Sequence, residues 1–111
     1  MLNNVAIMGR LAADPVLRHT STNNMPVANF QIAVNRSIVT NKAFEQEADF
    51  FNVVAWQSTA EFVMNNFTKG QQICLKGRLQ QRCWVDKEGK KNYATEIIAE
   101  SVYFAGYKKA G

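Results

Sequence analysis

Lys76, Arg78, Arg82 and Trp84 occupy same-parity positions of the stretch Gln72–Trp84. With the two-residue period of a β-strand, Ile73, Leu75, Gly77 and Leu79 share one face, and Lys76, Arg78, Gln80, Arg82 and Trp84 share the other. The first face is apolar. The second is basic, carries no acid and ends in an indole. Positive charge suits phosphate, and a flat ring suits an unstacked base. The hairpin tip that follows adds Lys87, Lys90 and Lys91 against Asp86 and Glu88, with Lys69 on the approach, and Arg10, Arg18 and Arg36 extend the set. A solvated hairpin is the plainer alternative, and the interleaving of Trp84 with Arg78 and Arg82 argues against it. Each base–aromatic stack is worth about 1–3 kcal/mol, and every base offers a ring face, so such contacts ignore sequence. A duplex hides those faces, so the same rings would discriminate strandedness.

Catalysis finds little support. The one histidine, His19, has no nearby serine or cysteine motif to make it a base. Glu45, Glu47 and Asp49 alternate before a strand and could hold magnesium, but such acids are more often solvated. The two cysteines, Cys74 and Cys83, are an odd number of positions apart in one strand, so they face opposite ways and cannot bridge within it. No zinc pattern, phosphate loop or dinucleotide fingerprint occurs. No metal and no cofactor are expected, and the chain does not read as an enzyme.

The bulk numbers agree. At 111 residues and 47% apolar the chain reads as one ordered domain with one modest core. A net charge of +4 favours polyanions without naming one. No run approaches the ~20 apolar residues that span a membrane, and the start lacks the basic lead of a signal peptide. The expected compartment is the cytoplasm.

The elements that must position these groups read as five strands and a helix. Asn4–Leu11 alternates weakly, and Gly9 within it suggests a bulge or bend. Asp14-Pro15 breaks the ladder because proline donates no amide hydrogen, and Val16–Thr20 resumes it. Thr22–Pro26 is a turn cluster. Val27–Arg36 is the second strand, with Ala28, Phe30, Ile32 and Val34 in one apolar row and Val27, Asn29, Gln31 and Ala33 facing away. Ile38–Glu47 reads as a polar loop. Asp49–Trp56 is the third strand, with Phe51, Val53 and Ala55 on one parity and Phe50, Asn52, Val54 and Trp56 on the other. Both rows are apolar. The pattern alone favours burying both, and the alternative is that Phe50 and Trp56 stand on a binding face. Ser58 and Glu61 fit a capping box for a helix over Thr59–Thr68, with Phe62, Val63 and Phe67 as its apolar stripe and Lys69-Gly70 as its stop. Gln72–Trp84 is the fourth strand and Tyr93–Phe104 the fifth. This order, all-β with one short helix between strands three and four, is that of an OB-fold, a partly open Greek-key barrel. The expected domain is 1–106, with 107–111 a frayed end.

The residues resemble one family over essentially the whole chain: the bacterial and phage single-stranded DNA-binding proteins, or SSB. The resemblance rests on Gly9-Arg10-Leu11, Asp14-Pro15 with Leu17-Arg18, Val27-Ala28 with Phe30, and Ala33-Val34-Asn35-Arg36. It continues through Ala48-Asp49-Phe50 to Trp56, Ala60-Glu61, Lys69-Gly70, Gly77-Arg78-Leu79, Arg82 with Trp84, and Tyr93 with Thr95-Glu96. The Asn35-Arg36 and Ala48-Asp49-Phe50 forms look most like those of low-GC Gram-positive bacteria or their phages. The resemblance implies an OB-fold homotetramer that wraps single-stranded DNA in replication, recombination, repair or DNA uptake. It implies that Phe50, Trp56 and Trp84 are exposed and stack on bases. Phosphate contacts are expected from Arg10, Arg36, Lys76, Arg78, Arg82, Lys87, Lys90 and Lys91. Ile38 falls where many members carry a fourth ring. Subunit pairing is expected along the first strand, at Leu2, Asn4, Val5 and Ile7. The family usually ends in an acidic tip that recruits replication and repair enzymes, whereas this chain ends with Lys108, Lys109 and Gly111, so tail-dependent partners are not expected. The rival readings are a primosome-type adaptor descended from SSB and an RNA-binding OB module.

Overall fold

Alternation of apolar and polar residues along most of the chain favours strands, and strands are what form. The computed structural model describes residues 2–36 and 47–105. In order these are β1 (Val5–Leu11), β2 (Val16–His19), β3 (Pro26–Asn35), β4 (Ala48–Trp56), α1 (Gln57–Asn66), β5 (Gln72–Val85) and β6 (Lys91–Phe104). Ile38 and the segment 107–111 lie outside the described residues, as does nearly all of the loop read over Ile38–Glu47. No helix among the described residues is long and apolar enough to cross a membrane.

β1 and β2 are the two halves of the expected first strand. Both pair with β3, at Leu11↔Ile32 and at Val16↔Asn29. The break falls at Asp14-Pro15, and the Asp14 carboxylate accepts from the Lys69 amide at 2.8 Å, which stitches the break to the loop after α1. The sheet runs β1-β5-β6-β4-β3-β2, and the β1–β3 pairing closes it into a ring. β4 and β6 are parallel, and the other pairs are antiparallel. This is the barrel of an OB-fold.

The inner rows are those the alternation marks. Leu11, Ala28, Phe30, Ile32, Val53, Ala55, Ile73, Leu75, Ile97 and Ala99 fill the barrel, and Ala60 and Val63 of α1 with Phe67 at its C-cap plug it. Each fully buried large aliphatic or aromatic side chain contributes about 1.5–3 kcal/mol. Phe67 also stacks on Phe104 with ring centroids 5.1 Å apart. Val27, Val54 and Ile98 form a second small cluster on the opposite face.

Two glycines lie where strands approach most closely. Gly9 sits at the corner where β1 passes from β5 to β3, and a Cβ there would lie 2.6 Å from the Ala33 carbonyl oxygen. The expected irregularity is therefore a corner, since the β1–β5 register runs through Gly9 unbroken. At Gly77 a Cβ would collide with the Ile98 carbonyl oxygen. There the β5–β6 register shifts: Lys76 faces Ser101, while Gly77 faces Ala99. Glu100 is the extra residue, so the inner row of β6 changes from Ile97 and Ala99 to Val102 and Phe104.

Beyond that crossing the structure departs from the sequence reading. Leu79, expected inside, is 47% exposed. β1 pairs with β5 only up to Val5↔Gly77, so from Arg78 onward β5 has β6 alone beside it. Every residue from Arg78 to Val85 is exposed, and this part of β5 with the start of β6 forms a two-stranded arm. The helix also starts earlier than expected, at Gln57, and Ser58 caps nothing: Trp56 is the N-cap residue and makes no side-chain cap hydrogen bond. β4 runs straight into α1, and Gln57 turns the chain with φ +55°. That leaves Ser58 inside the first turn. The helix ends at Asn66, where the Phe67 amide bonds the Val63 carbonyl at 3.0 Å.

Candidate nucleic-acid interface

Strand period and register bring the rings and cations to one side of the sheet. On β4, Phe50, Asn52, Val54 and Trp56 point away from the barrel interior. Phe50 is 58% exposed and Trp56 39%. The reading from pattern alone, that both rows are buried, fails here because, among the described residues, no second layer covers the outer row at Phe50 and Trp56. On β5, Arg78, Gln80, Arg82 and Trp84 lie opposite Ile98, Glu96, Ala94 and Asn92 of β6. β6 in turn pairs with β4 through Asn52↔Glu96 and Val54↔Ile98. The arm's basic row thus continues the outer face of β4.

Trp84 is 42% exposed, and the Arg82 guanidinium lies 5.1 Å from its ring centroid. That cation–π contact presents a charge beside an open ring. Arg78 donates from Nη1 to Gln80 Oε1 at 2.9 Å, so it too lies along the row. At the tip, Asp86 Oδ1 accepts from the Glu88 and Lys90 amides at 3.0 and 2.9 Å, and Oδ2 accepts from Asn92 Nδ2 at 3.0 Å. These bonds, Asn92 first, hold the Asp86 carboxyl below the usual carboxylate range. They fix the turn that displays Lys87, Lys90 and Lys91, all exposed.

The other expected cations are placed differently. Arg10 is exposed and donates from Nη1 to the Gly70 carbonyl at 3.1 Å. It pairs with Ala33, which in turn faces Phe50 across β3 and β4. Lys76 is exposed but stands before the Gly77 crossing, opposite Ala6 and Ser101, away from the arm's row. Arg36 makes a bidentate pair with Asp49, both bonds 2.7 Å, and its Nη1 lies 3.5 Å from Glu47 Oε2. The hydrogen bonds and charge of Asp49 raise the Arg36 pKa, and Arg36 in turn lowers that of Asp49. This guanidinium clips the ends of β3 and β4 together.

The sequence reading assigned no role to the polar residues between the rings. A groove of about 400 Å³ lies on this face, and Val16, Asn29, Gln31, Asn52, Arg82 and Glu96 are among its walls. The signal was present: Asn29 and Gln31 face away from the apolar row of β3, and Asn52 shares the parity of Phe50 and Trp56 on β4. Tyr93, 61% exposed, lies on the arm's other face. The described residues hold no group of three or more metal-ligating side chains.

β1 presents an edge. Over Val5–Gly9 it pairs with β5 on one side, and no described strand pairs on the other. Val5 and Ile7 pack partly against the core, Asn4 is exposed and Leu2 is 92% exposed. The neighbouring Asn3 exchanges two side-chain bonds with the Leu79 backbone, at 3.0 and 2.9 Å, extending the β1–β5 pairing towards the arm.

Comparison with known proteins points the same way. The model of the single-strand binding protein family matches residues 2–105. The single-stranded DNA-binding protein of Halalkalibacterium halodurans is 47% identical over 104 residues, 94% of this chain and 61% of the relative. Single-stranded DNA-binding protein A of Bacillus subtilis is 46% identical over 111 residues, 100% of this chain and 63% of the relative. Single-stranded DNA-binding protein 2 of Listeria monocytogenes is 46% identical over 104 residues, 94% of this chain and 64% of the relative. The chain therefore spans a little over three fifths of the length of these relatives. All three come from low-GC Gram-positive bacteria, the group its Asn35-Arg36 and Ala48-Asp49-Phe50 forms resemble. A barrel of this topology, rings and cations on its outer face, and a family match from residue 2 to residue 105 lead to one statement: the chain belongs to the single-strand binding protein family.

Proposed function

We propose that this chain binds single-stranded DNA without regard to overall sequence and performs no chemistry on it. The observation that supports this best is the exposure of Phe50, Trp56 and Trp84 on one continuous face, with Arg82 over the Trp84 ring. Bases stack on the three rings, while Arg10, Arg78, Arg82, Lys87, Lys90 and Lys91 hold the backbone and Lys76 extends the path past the Gly77 crossing. Arg36 joins only where a phosphate displaces Asp49 from its bidentate pair. In the cell, on the cytoplasmic nucleoid, this binding would protect strands and remove hairpins during replication, recombination, repair or DNA uptake.

The same reading includes a homotetramer. The open edge of β1, with Leu2, Asn4, Val5 and Ile7, is the kind of surface that pairs or aggregates unless covered. Light scattering on the eluting protein should give four times the chain mass, and a monomer would remove the tetramer from the account.

Competition between oligo-dT, the matching duplex and oligo-U tests the binding claim. Preference for oligo-dT over both supports it. Equal or stronger binding of oligo-U would favour an RNA-binding module, and no binding would favour a protein adaptor.

A further inference from the structure

The groove on the outer face contains chemistry that stacking and phosphate binding leave unused. Its polar walls are Asn29 and Gln31 of β3, Asn52 of β4 and Glu96 of β6, with Arg82 of β5 beside them and Asp14, already bonded to the Lys69 amide, at the rim. The register makes them neighbours: Gln31 faces Asn52, Asn52 faces Glu96, and Glu96 faces Gln80. Among the described residues, the side chains of Asn29, Gln31, Asn52 and Glu96 make no hydrogen bond or ion pair. Three carboxamides and a half-buried carboxylate therefore stand together with their hydrogen-bonding capacity unspent, on the face that carries Phe50 and Trp56. A volume of about 400 Å³ is in the range of small-ligand sites.

We propose that this groove reads the edge of one base in the bound strand and favours guanine there. The inference rests on the single-stranded DNA reading above and adds a bias to it. An ionised carboxylate can only accept hydrogen bonds. Guanine is the base whose Watson–Crick edge offers two adjacent donors, N1–H and the 2-amino group, and both can bond one carboxylate as a bidentate pair. Adenine and cytosine each set an acceptor nitrogen beside their amino group. Thymine flanks its single N–H with two carbonyls. Each of these three turns a lone pair towards Glu96, whereas guanine turns none. The guanine O6, beside N1, is left for a donor, which the amides of Gln31 and Asn52 or the Arg82 guanidinium supply. Stacking on the rings stays indifferent to base, so the bias is confined to this one subsite.

Three unlabelled strands of equal length, competed against labelled oligo-dT in fluorescence anisotropy, test this. One is dT alone, one carries isolated guanines separated by short dT runs, and one carries deoxyinosine in their place. Isolated guanines give most registers a target without forming quadruplexes. The guanine strand should compete about tenfold better than dT, the scale of one bidentate base contact. Deoxyinosine lacks the 2-amino group and should fall back towards dT. Glu96→Gln should abolish the guanine-to-thymine ratio, a readout in which any general change of affinity cancels. Equal competition by all three strands on the wild-type protein overturns the inference, as does a ratio that survives Glu96→Gln. If labelled oligo-dT itself fails to bind, the single-stranded DNA reading falls and takes this one with it. If it binds but shows no ratio, only the guanine preference falls.

Discussion

Replacing Trp84 with alanine removes a ring that is 42% exposed and has only the thin arm beneath it. Stability should change little, because Trp84 belongs to no core cluster and its cross-strand partner is Asn92. Binding should weaken by the lost stack, about 1–3 kcal/mol, which corresponds to a loss of roughly fivefold to 160-fold in affinity for oligo-dT. The cation–π contact with Arg82, 5.1 Å from the ring, is already made in the free protein and does not add to that figure. Titration at several salt concentrations separates the ring from the charges. Trp84→Ala removes no cation, so the slope of log K against log salt should stay where it was. Arg82→Ala should make it shallower by about 0.7, the share of one phosphate on a single strand. Wild-type affinity in Trp84→Ala, with unchanged melting, would take the indole off the DNA path.

Other perturbations test other parts of the account. Gly77→Ala drives a Cβ into the Ile98 carbonyl at the strand crossing and should destabilise the fold by at least the ~1–3 kcal/mol of an overpacked core, measured by urea unfolding. The Asp86 carboxyl is held low by Asn92 and by the Lys90 and Glu88 amides, so it stabilises the tip above the ordinary carboxylate pKa. That contribution is lost as pH falls through the depressed value, and exchange of the Glu88 and Lys90 amides should then quicken relative to the barrel. Asp49→Asn loosens the bidentate clip on Arg36, and if the freed guanidinium takes a phosphate, the salt slope for oligo-dT should steepen by about 0.7.

Most of the barrel was legible because burial enforces a two-residue period wherever a layer covers one face. Ala28, Phe30 and Ile32, or Ile73 and Leu75, could sit no other way. The break at Asp14-Pro15 was legible from the missing amide hydrogen alone. Leu79 was misplaced because alternation continues along the arm after the covering strand has ended, and that ending depends on where β1 pairs. The Glu100 irregularity was hidden for a similar reason, since Ile97 to Phe104 carries apolar residues on both parities either side of Glu100 and Ser101. The helix start moved because Gln57 adopts a backbone that sequence does not favour for glutamine. Arg36 read as one more cation, and its partner, thirteen positions on, is brought close only by the β3–β4 register. The exposed rings needed the family resemblance, because an apolar residue on a strand's second face looks the same whether covered or open. The amides of the groove were visible as outward positions, and their convergence with Glu96 required the parallel β4–β6 pairing.

The intrinsic fluorescence of Trp56 and Trp84 reports base stacking at the rings themselves. Titration with oligo-dT should quench it strongly, while the matching duplex at the same salt should leave it nearly unchanged, because only unstacked bases can lie on the rings. Oligo-dT that binds without quenching would contradict stacking on this face, and quenching by duplex as strong as by oligo-dT would contradict the selection of single strands.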